Sequence, residues 1–593
     1  MRFWPYPGAV PRTELSNTTI ADALEELGDL YELDGAIVHR VLAYRGAAKS
    51  VRDAPVSVAE LAREGRAAEL PGIGATLQEK IRALVEDGSI PAAEKLRAKF
   101  PAGLIAITRL PGLGPKRARL LYTELGVDSP RALREAAKQE RLRTVRGLGP
   151  KLEERVLAAL DETPEGPARP APRMLLPRAL ELGEALVEGL ERRGPKGTRV
   201  QLAGSVRRRA DSVKDLDLVA VTTRPAALAK SLAELEEIES VGSAGTAGAR
   251  GRTHSGVPVD LRIAKPAQLG NLLQHFTGSG EHNAALREAA VRRGLHVSEY
   301  GILDDATGKT RTCATEEEAY ELVGLAYIEP ELRENRGELD AAATGTLPEL
   351  ITLEDIRGDL HSHTIASDGH NTIGEMARAA RDRGYEYLAI TDHSASHGFG
   401  NDVSPGELGR QIELVHQANE SIEGIELLAG SEVNILPDGS LDYDDELLRQ
   451  LDWIIASMHT SFRMSEQAMT ERMITAIEHP LVDAIGHPTG RLIQRREPYA
   501  IDLYAVYAAA ARTGTMLEIN ANPDRRDLSD VQARAAATAG ATILIDSDAH
   551  RIATLANMRW GVATARRAWL TKEQVANTRP WSEFTKLRKQ QRK

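Results

Sequence analysis

The 593-residue chain has a single cysteine, Cys313, so an internal disulfide is impossible and a reducing compartment is expected. No stretch approaches the ~18 uninterrupted apolar residues of a membrane span. The N-terminal MRFWPYPGAV lacks the basic-then-apolar pattern of a secretion signal. Membrane insertion and secretion are therefore not expected, and a cytoplasmic location is. Aromatic residues are scarce at 4%, and positive charge is not in excess: 75 Lys and Arg against 86 Asp and Glu leave −11, which alone argues against nucleic acid. What remains is ordinary globular composition, 42% hydrophobic and 27% charged. At this length it suggests about four domains.

The distribution of charge reverses the first impression. Residues 101–150 carry ten Lys and Arg against four Asp and Glu, and the chain ends in a basic run, Lys586 to Lys593. Phosphate binding needs only such a local surface. Within the helical pattern of the first 160 residues an apolar-Gly-apolar-Gly turn recurs, in LPGIG (70–74), LPGLG (110–114) and VRGLG (145–149). The paired glycines, Gly72 and Gly74, Gly112 and Gly114, Gly147 and Gly149, permit a tight turn whose following helix points free N–H groups outward. Such a terminus holds a phosphate without reading a base. Arg109, Lys116, Arg117 and Lys151 flank the turns as candidate contacts to a DNA backbone. A lone turn of this kind is usually structural; three copies favour the sugar-phosphate reading.

After a Pro-rich linker, TPEGPARPAPR (163–173), the stretch GSVRRRADSVKDLDLVAV (204–221) sets a Gly-Ser turn before a strand bearing Asp215 and Asp217. Carboxylates two apart on a strand share a face. Asp260, in PVDLRI, lies on another expected strand, and three such oxygen ligands suit two Mg²⁺ ions bridged by a nucleoside triphosphate.

From Asp359 on, short apolar strands (YLAIT, ELLAG, WIIAS, AIGH, MLEIN, ILIDS) alternate with helical patterns, as in a β/α barrel. Nine ligand-type residues accompany them: His361, His363, Asp368, His393, Glu432, His459, His487, Asp548 and His550. Most fall at or just past a strand end, where a β/α barrel gathers its side chains at one mouth. Six are histidines out of 15 in the chain; His370 and His416 read as ordinary histidines. Mixed His and carboxylate ligands suit Zn²⁺ or Mn²⁺, and their number implies two or three ions with Glu432 as the natural bridge. Phosphoester hydrolysis is the reaction such a cluster fits.

The first of these sites resembles that of family X DNA polymerases, and the second resembles the polymerase and histidinol phosphatase (PHP) domain; their order along the chain is that of the bacterial form. The resemblance implies an all-α helix-hairpin-helix region, an α+β nucleotidyltransferase palm and thumb, and a C-terminal distorted β/α barrel. It implies domains at 1–100 (helical, with the first hairpin), 101–165 (fingers-like), 174–265 (palm), 266–335 (thumb), 336–354 (linker), 355–580 (PHP) and 581–593 (basic tail). It assigns Asp215, Asp217 and Asp260 to the catalytic Mg²⁺ or Mn²⁺. Gly204, Ser205 and Arg208 go to the incoming triphosphate, Phe276 and Gly278 to its sugar, Asn283 to its base and Arg287 to the template. YIEPELRENRGELDAA (327–342) is similar to a segment of bacterial and archaeal members. Lys80 takes the place of a lysine that can form a Schiff base with an abasic sugar, with His39 and Tyr44 resembling a 5′-phosphate pocket; an ordinary phosphate-contacting lysine is the alternative.

In the barrel the resemblance gives His361, His363, Glu432 and Asp548 to one metal. Glu432, His459 and His487 go to a second, and Asp368, His393 and His550 to a third. The chain departs from the family's glycine-rich pattern at Arg209, Asp211 and Lys214. The implied protein is a monomeric gap-filling repair polymerase using deoxynucleoside triphosphates, with 3′→5′ exonuclease activity and, in some members, 3′-phosphatase or abasic-site cleavage. The alternatives are a PHP nuclease whose palm serves as a DNA clamp, and a repair scaffold.

Overall fold

The computed structural model describes residues 15–108, 110, 112–162, 173–398 and 401–589. Arg109 and most of the expected linker lie outside them. The chain divides into two compact units, one of Met1–Met174, Glu181–Leu202 and Lys214–Lys265, the other of Leu175–Leu180, Ala203–Val213 and Pro266–Lys593. No helix among the described residues is long and apolar enough to cross a membrane.

The first unit begins with helices. Ser16 caps α1 (Asn17–Leu33) by accepting the Thr19 N–H. The apolar stripe Ile20, Leu24 and Leu27 is fully buried, against α2 (Val38–Asp53) among others. The three glycine turns take the same shape: Gly72, Gly112 and Gly147 all have left-handed φ, at 76°, 80° and 87°. They lead into α3 (Ala75–Asp87), α4 (Pro115–Leu125) and α5 (Pro150–Glu162). Gly74 and Gly114 are the caps of α3 and α4, with no side chain satisfying the first N–H groups. A Cβ built on Gly72, Gly74, Gly114, Gly147 or Gly149 would meet nothing within 4 Å, so these termini face open space.

The same unit holds a five-stranded sheet of β1 (Arg199–Leu202), β2 (Leu216–Val221), β3 (Ile238–Gly245), β4 (Gly248–Thr253) and β5 (Pro258–Ala264), in the order β1-β2-β5-β4-β3. Only β2 and β5 run parallel, and their register sets Asp217 directly opposite Asp260.

In the second unit, α6 (Leu269–Thr277) and α7 (Gly280–Val291) precede an antiparallel sheet of β6 (Leu295–Ser298), β7 (Gly301–Asp304) and β8 (Lys309–Arg311). Ionic contacts bury the segment after it: Arg333, 0% exposed, pairs with Glu316, and Glu338 takes the Nδ1 side of His282 at 2.7 Å. The similarity noted for 327–342 thus belongs to a packed connector.

Seven parallel strands follow in chain order: β9 (Gly358–Asp359), β10 (Tyr387–Ile390), β11 (Glu426–Asn434), β12 (Trp453–Ser457), β13 (Ala484–Ile485), β14 (Met516–Asn520) and β15 (Ile543–Asp546). A bridge between Ser362 and Ala549, just past the first and last strands, draws the ring nearly closed. The expected β/α barrel is the fold observed. Phe584 stacks on Tyr387 and packs with Trp453 in an apolar layer of their own. Residues 581–589, set apart in sequence as a basic tail, are thereby packed on the barrel: the Lys589 ammonium donates to the Ile477 and His479 carbonyls.

Candidate active sites

The chemistry lies at or just past the ends of the barrel strands, where bridges such as His393–Glu432 and Ser362–Ala549 still tie neighbouring backbone together. His361 and His363 follow β9, His393 follows β10, Glu432 lies within β11, His459 follows β12, His487 follows β13, and Asp548 and His550 follow β15. All nine expected ligands come together. Glu432 is the hub: its Oε2 lies 2.9 Å from His393 Nδ1, 3.3 Å from His361 Nε2 and 3.6 Å from His363 Nε2. Its Oε1 lies 3.0 Å from His487 Nε2 and 3.2 Å from His459 Nε2. Asp548 Oδ1 faces His363 at 3.2 Å and His550 at 3.6 Å, while Asp368 Oδ1 faces His550 at 3.3 Å and His393 at 3.5 Å.

Three groups have ligand atoms mutually within 4.8 Å: His363, Asp368, His393 and His550; His361, His363 and Asp548; His393, Glu432 and His459. These groups contain the third ion's set implied by resemblance, with His363 added, and three of the four residues of the first, while His487 lies outside them with its Nε2 3.0 Å from Glu432 Oε1.

The donor set fits divalent cations. His361 Nε2, both ring nitrogens of His363 and His393 Nδ1 are buried with no hydrogen-bond partner, a costly arrangement unless an ion completes it. Burial, then the charges of His550 and His393, bring His363 down to about 3; burial, then Arg525, brings His487 to about 3. Both are thus neutral, as ligands must be. Burial pushes the Glu432 carboxyl up, but His459, His361 and His393 outweigh it and hold it well below the usual range.

Sequence reading passed over the shell behind these ligands. Glu518, fully buried on β14, accepts from His361 Nδ1 at 2.7 Å and from the backbone N–H of His487, so one carboxylate orients the His361 ring and fixes the main chain that carries His487. Asn520 donates to Asp548 Oδ2 at 3.1 Å, and Asn434 accepts the His459 N–H at 3.3 Å. Their only signal was a polar residue inside an apolar strand, as in MLEIN.

On the five-stranded sheet, Asp217 and Asp260 face each other in register and Asp215 is exposed just before β2. Asp260 is already engaged, with Arg262 Nε at 2.8 Å and Arg250 Nε at 3.2 Å. In the second unit, Gly204 (φ 60°) and Ser205 open a short helix, Gly204–Arg207. Arg208 donates to Glu334 at 3.0 Å and to the Thr277 carbonyl, and a Cβ on Gly278 would come within 3.1 Å of its Nη1. Asn283 is tied to Gln274 and to the His275 carbonyl; Phe276 is half-buried and Arg287 exposed.

The departures at 209 and 211 have a structural account. Arg209 adopts φ 58°, the conformation a glycine takes freely, and its carbonyl accepts from both Arg526 Nη atoms at 3.1 and 3.2 Å. Asp211 pairs with Arg491 at 2.9 Å and Arg526 at 3.0 Å. This turn is moored to loops of the barrel. Lys214 is exposed, and nothing in the structure explains it.

In the helical region Lys116 is 76% exposed, Lys151 is exposed, and Arg117 donates to the Gly112 carbonyl at 2.6 Å. Lys80 is half-buried on α3. His39 is exposed on α2, but Tyr44 is buried and stacked on Tyr31 at 5.1 Å, so Tyr44 does not open onto a surface pocket. The cleft beside α2, about 300 Å³, is lined by Glu32, Gly35, Arg45, Lys116 and Arg119 among others.

Comparison with known proteins follows the same order along the chain. Residues 16–90 match a helix-hairpin-helix domain, 104–162 a SAM-like helix-hairpin-helix tandem, 272–334 the DNA polymerase beta thumb and 359–522 the PHP domain. The DNA polymerase/3′-5′ exonuclease PolX of Bacillus subtilis (strain 168) is 38% identical over 564 residues, 94% of this chain and 96% of that protein. A probable phosphatase of Thermoanaerobacter sp. (strain X514) is 35% identical over 240 residues, 37% of this chain and 89% of its own length. One of Shewanella sediminis is 31% identical over 241 residues, 39% of this chain and 93% of its own. With near end-to-end similarity to the first and barrel-length similarity to the others, the chain belongs to the bacterial family X DNA polymerases that carry a C-terminal PHP domain.

Proposed function

We propose that this chain is a gap-filling DNA repair polymerase that also removes nucleotides from 3′ ends, with the two reactions on separate sites. The observation that carries the hydrolytic half is the convergence of five histidines, His361, His363, His393, His459 and His487, on Glu432, beside Asp368, Asp548 and His550, with His361 Nε2, both ring nitrogens of His363 and His393 Nδ1 lacking a hydrogen-bond partner. Divalent ions bound there, two or three Mn²⁺ or Zn²⁺, supply Lewis acidity and a water activated at neutral pH. The residues do the rest: Glu432 would lie between the ion sites, and Glu518 fixes the His361 ring and the backbone of His487.

On the sheet, Asp215, Asp217 and Asp260 hold Mg²⁺ or Mn²⁺, and Asp260 accepts the proton of the primer 3′-hydroxyl. Gly204, Ser205 and Arg208 bind the triphosphate, Phe276 and Gly278 its sugar, Asn283 its base and Arg287 the template. The helix termini after Gly74, Gly114 and Gly149, the first two without a side-chain cap, grip the DNA backbone together with Lys116, Arg117 and Lys151. This reading includes a cytoplasmic monomer with the seven segments drawn from sequence, and Lys80 as a nucleophile toward abasic sugars or a plain phosphate contact. Salt dependence separates DNA gripping from incidental charge, because released counterions make binding weaken steeply.

One observation favours a second reading, a nuclease whose palm is a clamp: Asp260 is occupied by two arginines. The test is 5′-labelled gapped DNA with Mn²⁺, with and without deoxynucleotides. Shortening without nucleotides and gap filling with them, the latter lost in Asp217→Ala, supports the two-site enzyme. Shortening in both lanes favours the clamp, and filling with no shortening overturns the hydrolytic site.

A further inference from the structure

Two adjacent arginines follow β14, and the structure uses them differently. Arg526 is fully buried and spent on Asp211, the Arg209 carbonyl and the Thr564 hydroxyl. Arg525 turns toward the metal centre. Its Nε lies 4.0 Å from Asp548 Oδ2, the oxygen that faces away from the histidines, and its positive charge is felt at His487. Its Nη1 is buried and has no hydrogen-bond partner.

The loop that carries Arg525 is fixed from several sides. Asn520 Oδ1 accepts the Asn522 N–H and Asn522 Oδ1 accepts the Asp524 N–H, at 3.0 and 3.1 Å. The Asn522 carbonyl accepts the Arg525 N–H at 2.8 Å, and Asp527 is held by Thr489 at 2.7 Å. A guanidinium placed so firmly, with one edge at a metal-ligand carboxylate and a buried donor unmet, lacks an anionic acceptor. Its planar fork matches two oxygens of a tetrahedral phosphate.

We propose that Arg525 binds the non-bridging oxygens of the phosphate being hydrolysed, holding it from the Asp548 Oδ2 side of the site. This rests on the reading of the barrel as a phosphoester-hydrolysing metal centre. Arg525 then touches substrate, whereas Glu518 only positions ligands.

Inorganic phosphate is the probe, titrated calorimetrically into the full-length, Mn²⁺-loaded protein, with metal content measured on the same samples. In Arg525→Gln the phosphate dissociation constant should rise by about 10- to 100-fold, the range for a charged hydrogen bond, with metal content and melting temperature unchanged. Arg525→Lys, a point charge without the fork, should fall between, and guanidinium ion should restore phosphate binding to Arg525→Ala. Unchanged phosphate affinity in Arg525→Gln overturns the assignment. So does loss of bound metal in that variant, which would make Arg525 a support for Asp548. Wild-type protein that loads metal yet binds no phosphate overturns the underlying reading of the site.

Discussion

Asp260 and Glu432 are both carboxylates surrounded by basic side chains, but the bases differ in what they do when a metal arrives. Around Glu432 they are imidazoles, which in neutral form become ligands themselves; the same rings that hold the carboxylate low would complete the ion's coordination. Around Asp260 they are guanidiniums, which stay protonated and cannot ligate a cation. The barrel therefore receives metal by releasing protons from His361, His393 and His550, whose pKa values burial lowers but the neighbouring carboxylates raise by more, with no side chain having to be displaced. The sheet site has to exchange an arginine for an ion, so occupancy there is coupled to whatever else the arginines can bind, such as the phosphates of a nucleotide or primer.

The sharpest way to break that contrast is to remove each hub. Glu432→Gln should lower Mn²⁺-dependent shortening of 5′-labelled DNA by about a thousandfold, the weight of losing a shared metal ligand, with bound metal falling in parallel. Gap filling by the same protein should persist. Asp217→Asn should do the reverse, and a variant of either site that silenced both reactions would show that the two are not separable. Next in size is Glu518→Gln. Removing the acceptor that orients the His361 ring and holds the His487 backbone N–H should weaken metal binding or hydrolysis by about 10- to 100-fold, read by metal titration of the hydrolytic rate. A change below twofold would mean that the His361 ring is held by packing alone.

How much of this was visible in the sequence follows the same division. The candidate ligands gathered at the barrel mouth could be picked out because histidine is rare in the chain and falls at the ends of strands whose alternation with helices was itself legible. Glu518 could not, since MLEIN reads as one more buried strand and its partner His361 lies 157 residues away. The mooring of Arg209 and Asp211 was hidden for the same reason. Side chains that depart from a glycine-rich pattern look like obstacles to a triphosphate until Arg491 and Arg526, some 280 to 317 residues later, arrive to use them. The basic run from Lys586 to Lys593 could be read from charge alone only as a basic surface or a solvated face; that Lys589 is spent on backbone carbonyls of the barrel was not legible there.

The smallest effect tests the guanidinium half of the comparison most directly. Arg250 pairs with Asp260 across the β4–β5 register, yet its side chain is 67% exposed, so the contact is heavily screened. Arg262, 29% exposed and closer, is the stronger competitor, but its removal would also disturb the sheet. Arg250→Ala should therefore lower the Mg²⁺ concentration for half-maximal gap filling by only about two- to fivefold, the scale of one exposed ion pair, with fold stability unchanged. If the midpoint rises instead, Arg250 serves the bound substrate more than it opposes the metal, and the two carboxylate sites are less different than their partners suggest.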